Sequence, residues 1–231
     1  MISRLLALLG LCAVLMGCQE SVTRNEGARI LAIGDSLMTW NSTTRRSVPH
    51  IIEKELGEPV VDRAVAGAWM TVREGADYDS GMAVPFQYVQ GDWDWVIING
   101  GGNDLLFGCG CGVCDGVLDR MISADGTTGQ IPDLVRKIHA DGAQVLYFGY
   151  LRSPNLLTPI EHCKDDGDEL ERRIARMAGQ EEGIVFATMG HIVPPGGIRY
   201  FSPDLIHPSR RGSRAIGERL AKIIREYDTR G

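Results

Sequence analysis

The chain predicts an α/β fold with a parallel sheet and helices on both of its faces, and three observations predict it. Short apolar, β-prone runs recur along the sequence, amphipathic stretches of helical period separate them, and each gap is long enough for a crossover connection. The runs are near-continuously apolar rather than alternating, as strands buried on both faces are. In open sheets of this kind ligands sit beyond the carboxyl ends of the strands, so the loops that follow the strands are where chemistry is sought.

In chain order, residues 29–33 (RILAI) read as the first strand. Val48, Ile51, Ile52 and Leu56 then fall on one helical face, with Ser47 as an N-cap candidate. Residues 59–64 form a second strand and residues 95–99 (WVIIN) a third. The stretch from 105 to 128, dense in glycine and cysteine, reads as an irregular loop. Ile131, Leu134, Val135 and Ile138 have i, i+3, i+4, i+7 spacing, and a fourth strand follows at 144–149 (QVLYFG). Leu170, Ile174 and Met177 mark another helix, before a fifth strand at 184–188 (IVFAT). Ile216, Leu220, Ile223, Ile224 and Tyr227 give the last helix its apolar stripe.

The N-terminus carries a different signal. Arg4 precedes an apolar run from Leu5 to Met16, too short to span a bilayer but suited to an export signal. Leu15-Met16-Gly17-Cys18 resembles a bacterial lipobox, which implies cleavage before Cys18 and a diacylglyceryl group on its sulfur. Residues 1–17 are therefore expected to be a lipoprotein-type signal peptide and 18–28, polar and aperiodic, a tether. Residues 29–231 form one domain. The expected location is the cell envelope, lipid-anchored to a membrane through Cys18, on the periplasmic face if the source is Gram-negative. A formal charge of −6, with no Lys/Arg cluster beyond isolated pairs such as Arg45-Arg46, argues against a nucleic-acid partner.

Four loops hold unusual residues. Gly34-Asp35-Ser36 follows the first strand and could present a hydroxyl beside a helix start; it is not a G-x-S-x-G elbow, since position 38 is Met. Gly67 follows the second strand and could offer a backbone N–H to a substrate oxygen. Gly101-Gly102-Asn103-Asp104 follows the third and matches neither a Walker loop nor the dinucleotide fingerprint. Asp204-Leu205-Ile206-His207, flanked by Pro203 and Pro208, can bring a carboxylate to one imidazole nitrogen and leave the other facing outward as a base.

Alone, each piece reads as turn chemistry. Together and in this order they resemble the SGNH (GDSL-type) hydrolase family, over essentially all of residues 28–228. The resemblance implies a flavodoxin-like three-layer α/β/α sandwich with a five-stranded parallel sheet. It implies Ser36 as nucleophile, His207 as general base and then acid, and Asp204 as the group that orients His207. Ser36 N–H, Gly67 N–H and the Asn103 side chain would form the oxyanion hole. Asp35 and Asp104 are then structural braces. No cofactor is expected. The activity implied is a serine esterase acting on a small-molecule, lipid or glycan ester, of short-chain or lysophospholipid type. The alternatives are a carbohydrate O-acetylesterase of the envelope and a binding module on a catalytically retired scaffold. Met38, Trp40, Trp69 and Met70 flank the nucleophile and Gly67, so they either line an acyl pocket or pack as a rim under the cysteine loop.

Cys109, Cys111, Cys114 and Cys163 remain in the domain, an even number in a chain expected to be exported, so disulfides are expected. Pairing Cys109 with Cys111 would close a strained ring, which leaves two connectivities open. The rival is a metal site built from these thiols and His162, but the second C-x-x-C-like pair of a zinc knuckle is missing, and no metal is expected.

Overall fold

The computed structural model describes residues 27–72, 75–153 and 158–228. The expected signal peptide, Cys18 and nearly all of the tether lie outside the described residues.

The elements run β1 (Ile30–Ile33), α1 (Ser36–Thr39), α2 (Val48–Leu56), β2 (Val60–Asp62), α3 (Val84–Gln87), β3 (Trp95–Ile98), a π-helical turn (Asp104–Cys109), α4 (Asp115–Met121), α5 (Gln130–Ala140), β4 (Gln144–Phe148), α6 (Lys164–Ala178), β5 (Ile184–Ala187) and α7 (Arg210–Asp228). The five strands pair in parallel in the order β2-β1-β3-β4-β5. All five predicted strands and all four predicted helices form, the strands with ends within two residues of expectation.

Strand periodicity divides the core into two layers. Leu31, Ile33, Val96, Ile98, Val145 and Tyr147 face α4, α5 and α6, whereas Ile30, Ala32, Trp95, Ile97, Leu146 and Phe148 face α2 and α7. Residues on both faces of the central strands are fully buried, and each such aliphatic side chain contributes about 1.5–3 kcal/mol relative to exposure. Helices α2 and α7 pack closely because Gly217 leaves room: a Cβ there would stand 2.6 Å from Ile51 Cβ.

Two local expectations are corrected. Ser47 occupies the cap position of α2 without a capping hydrogen bond, because its Oγ is bonded to His50 Nδ1 at 2.7 Å; Gly57, at φ 74°, closes the other end. The stretch 105–128 is not irregular throughout. It contains most of the π-helical turn and all of α4, which is held by burial of Val117, Leu118 and Met121. Its glycines and cysteines masked that short apolar face.

β1 and β3 are neighbours in the sheet, while the strands that follow them in sequence lie on opposite sides. This is the switch point where the loops after two adjacent strands part and leave a crevice at their carboxyl ends. Ser36 follows one of these strands and Asn103 the other.

Candidate active site

The turn that carries Ser36 is held on both sides. A Cβ on Gly34 would stand 2.8 Å from Asn99 O, so only glycine lets β1 leave the sheet this close to β3. The buried Gln87 amide pairs with Gly34 as a peptide would, accepting from its N–H at 2.6 Å and donating to its C=O at 2.9 Å. Asp35 caps α1, its Oδ1 accepting from Leu37 N–H at 2.9 Å, and its Oδ2 accepts from the Tyr150 hydroxyl at 2.6 Å. Burial pushes the Asp35 carboxyl above the ordinary carboxylate range, against the lowering effect of those two hydrogen bonds. Burial also raises the Tyr150 hydroxyl well above 10, so it remains a donor.

The segment 201–208 folds back on itself. Phe201 and Pro208 form an isolated antiparallel bridge, and Ser202 N–H donates to His207 O at 2.8 Å. Leu205, in the left-handed region at φ 57°, tightens the turn. Inside it, Asp204 Oδ1 accepts from the amides of Ile206 and His207, both at 3.0 Å, while Oδ2 meets His207 Nδ1 at 2.7 Å. Burial disfavours the Asp204 charge, but the two amides and the imidazole outweigh it and lower its pKa. An ionised Asp204 assigns the proton to Nδ1 and leaves Nε2 as an acceptor. Nε2 lies 2.9 Å from Ser36 Oγ. The hydroxyl can therefore hand its proton to the ring as the oxygen attacks an electrophile, and the carboxylate offsets the charge that forms.

The loop after β3 completes the crevice. A Cβ on Gly102 would stand 2.8 Å from the Tyr150 ring, and Gly102 N–H donates to the Tyr150 oxygen at 2.8 Å. Asn103 Nδ2 donates to Ala68 O at 2.8 Å, leaving its second N–H for another acceptor. That contact ties Asn103 to the loop bearing Gly67, which has φ 83° and no acceptor on its N–H among the described residues. Ser36 N–H is likewise unengaged among them. Fully buried, Asp104 braces the same two loops, accepting from Met70 N–H, Thr71 N–H and the Thr71 hydroxyl at 2.7, 2.8 and 2.5 Å. Burial raises its pKa despite those bonds.

The structure thus brings Ser36, Asp204, His207 and Asn103 together as expected, with Gly67 one residue from the carbonyl that Asn103 grips. Of the four apolar candidates, none lines the cavity beside Ser36. Met38 and Met70 are fully buried in the core. Trp69 packs under the cysteine loop, its ring 6.5 Å from that of Phe107. Trp40 stacks on His207. Beyond Ser36, Asn103 and His207, the cavity is walled by residues such as Leu106, Leu151 and Ile160 that carry no local motif. Gln87 and Tyr150 also went unnoticed, because their partners lie 53 and 115 positions away in sequence.

Cys109 pairs with Cys114 and Cys111 with Cys163, Cα atoms 5.3 and 4.8 Å apart, which selects one of the two open connectivities. Cys111, His162 and Cys163 do bring their donor atoms within 4.8 Å of one another, but the disulfide takes up both sulfurs and leaves a lone imidazole.

Residues 32–215 match the model of the GDSL-like lipase/acylhydrolase family. A comparison with curated proteins gave no match. Solved structures share the fold. One, assigned to the SGNH hydrolases, from Slackia heliotrinireducens, is 19% identical with a TM-score of 0.59, the match covering 86% of this chain and 99% of that one. A carbohydrate acetylesterase family member from Sinorhizobium meliloti is 16% identical with a TM-score of 0.54, covering 86% and 98%. A carbohydrate esterase family 2 enzyme with a carbohydrate binding domain, from Corynascus thermopiles (Myceliophthora fergusii), is 18% identical with a TM-score of 0.55, covering 84% and 64%.

Proposed function

The chain belongs to the GDSL-like lipase/acylhydrolase family, as a carboxylic ester hydrolase of the SGNH/GDSL type, and from this we propose that it works through Ser36, His207 and Asp204 by way of an acyl-enzyme. The observation that carries the reading is the continuous hydrogen-bonded chain from Ser36 Oγ through His207 to Asp204, opening on a cavity.

Ser36 Oγ attacks the ester carbonyl carbon while His207 Nε2 takes its proton. The carbonyl oxygen becomes an oxyanion, for which Ser36 N–H, Gly67 N–H and the free Asn103 N–H are the donors. The bond to the alcohol oxygen then breaks, and Nε2 returns the proton to the departing alcohol. Water next attacks the Ser36 ester with Nε2 as base; the acid leaves and the serine regains its proton. Ester and water have become acid and alcohol, and the steps call on no metal or cofactor.

We assign the substrates to short-chain or lysophospholipid-type esters. The cavity beside Ser36, with Leu37, Leu105, Leu106, Leu151, Ile160 and Val193 in its walls, supports this. A carbohydrate O-acetylesterase is the second reading, supported by the fold shared with the Sinorhizobium meliloti acetylesterase family member. A retired binding module would have no need of Ser36 and His207 in hydrogen-bonding contact. Residues 1–18 support export and a lipid anchor on Cys18. Among the described residues no helix is long and apolar enough to cross a membrane.

The test is hydrolysis of aryl esters from acetyl to octanoyl, with Ser36→Ala in parallel. Activity in the parent that the variant loses is the expected result; no activity, or equal activity in both, overturns the assignment. Partition of the mature protein into detergent, lost on Cys18→Ala, tests the anchor, and partition into water refutes it.

A further inference from the structure

The cavity next to Ser36 and His207 measures about 460 Å³, within the range of small-molecule sites. Val193, Pro195 and Ile206 line it, and two further stretches of chain wall it. One is the π-helical turn, through Leu105, Leu106 and Phe107; the other is formed by residues described between β4 and α6, Leu151, Ile160 and Cys163 among them. The cationic groups that reach it are already paired, Arg152 with Asp168 and Glu171 at 2.7 and 2.8 Å, and Lys164 with Asp168 at 2.9 Å. Glu161 also lines the cavity, and its buried Oε2 has no hydrogen-bond partner among the described residues. An anionic group entering here would find these cations already engaged and a carboxyl oxygen facing it. A sugar ring would need several aimed, unpaired donors and acceptors, where these walls offer mostly hydrocarbon and matched charge.

The two walls are linked covalently. Cys111 lies just beyond the π-helical turn and Cys163 on the facing wall, and they are bonded to each other. Beside that link, Gly112 N–H donates to Asp166 Oδ2 at 2.6 Å. The other disulfide, Cys109–Cys114, joins the π-helical turn to the start of α4 and does not cross the cavity.

We propose that this cavity holds the uncharged acyl chain of a medium-length ester, and that the Cys111–Cys163 disulfide is the spacer that sets its width and hence the preferred chain length. This rests on the ester-hydrolase reading above. An acetyl group fills little of the volume, whereas each further methylene taken from water is worth about 0.8 kcal/mol, a factor of about 4. Because the chain stays bound through the transition state, the gain appears in kcat/KM.

The test measures kcat/KM for p-nitrophenyl esters from acetyl to decanoyl with the disulfides intact. The same series is run on Leu106→Trp, which fills the cavity, and on the Cys111→Ser/Cys163→Ser double variant. The parent is expected to climb about 4-fold per methylene at first and to peak at hexanoyl or longer. The octanoyl-to-acetyl ratio is expected to fall at least about 3-fold in both variants. A ratio taken within one preparation is blind to the fraction of folded protein. Should the double variant not fold, mild reduction and alkylation of Cys111 and Cys163 in the folded parent, located by mass spectrometry, gives the same comparison. A parent that peaks at acetyl, or a ratio unmoved by Leu106→Trp, overturns the acyl cavity; a ratio unmoved when the cross-link is opened overturns the spacer. A parent inactive on every ester, with Ser36 unlabelled by a fluorophosphonate, overturns instead the hydrolase reading beneath both.

Discussion

The Trp40 indole lies flat on the His207 imidazole, ring centroids 3.7 Å apart and planes 5° from parallel. Trp40 stands one turn after Ser36, its N–H donating to Ser36 O at 2.9 Å, so one short helix supplies both the hydroxyl and a support for the base. The indole Nε1 is tied to Ser202 Oγ at 2.8 Å, and that oxygen donates to Pro208 O at 3.0 Å, which fixes the stack to the turn holding Asp204.

An aromatic face against an imidazole that, in the proposed mechanism, becomes cationic lowers the energy of the charged form. Such contacts are worth about 0.5–2 kcal/mol. Trp40→Leu is therefore expected to lower kcat about 2- to 30-fold, with Trp40→Phe between the two because it keeps a ring and loses the Ser202 tie. Steady-state kinetics on a single aryl ester decide it, and a Trp40→Leu enzyme with parental kcat removes the stack from the mechanism.

In the proposed mechanism Asn103 offers the oxyanion an N–H that cannot be replaced by water without reorganisation. Asn103→Ala is expected to lower kcat by about 10²–10³ with KM little changed. Pre-steady-state acylation rates locate the loss in the first chemical step; a loss confined to KM would make Asn103 a binding group only.

Tyr150 joins the nucleophile's turn to the loop of Asn103 through a single oxygen, 2.6 Å from Asp35 Oδ2 and 2.8 Å from Gly102 N. Removing it costs a bond to a buried carboxyl and leaves the Gly102 amide without its partner. Tyr150→Phe is expected to reduce kcat by about 10-fold at constant KM. In the Asn103→Ala background the further loss should shrink below about 3-fold, since the oxygen acts by placing that loop. Fully multiplicative losses in the double-mutant cycle would assign Tyr150 to general stability.

Asp35 gives a pH dependence of stability. Its folded pKa is raised from 3.8 by burial, so over the window above 3.8 the native protein holds a proton that the unfolded chain has released. Stability then falls as pH rises through that window. Asp35→Asn lacks this titration and should give a flatter plot of Tm against pH from about 4 to 7. Asp104, raised in the same direction, is present in both proteins, so the difference between them reports Asp35 together with its repulsion from Asp104. Parallel curves for the two proteins would mean that Asp35 ionises in the fold as freely as in the open chain.

The strands, the main helices and the residues of the candidate site were legible because each is announced locally. Val96, Ile97 and Ile98 are consecutive apolar residues of a strand with two buried faces, and Asp204 and His207 sit three apart in a turn bounded by prolines. The family resemblance added the order in which these pieces must meet. Met38 and Trp40 show where local reading ends: two positions apart, within and just past one short helix, the first is core and the second stacks on His207.

By itself the sequence determined an α/β chain with a serine, an amide and an Asp–His pair each placed just past an apolar run or in a proline-bounded turn. Period and turn chemistry are properties of a few adjacent residues, so they survive without the fold. Only the tertiary structure decided that Cys111 pairs with Cys163, that Gln87 and Tyr150 hold the nucleophile's turn, and that the cavity opens toward the cysteine loop. Those outcomes depend on which surfaces the five parallel strands bring face to face, across separations of 52 to 115 residues, and no local pattern encodes that meeting.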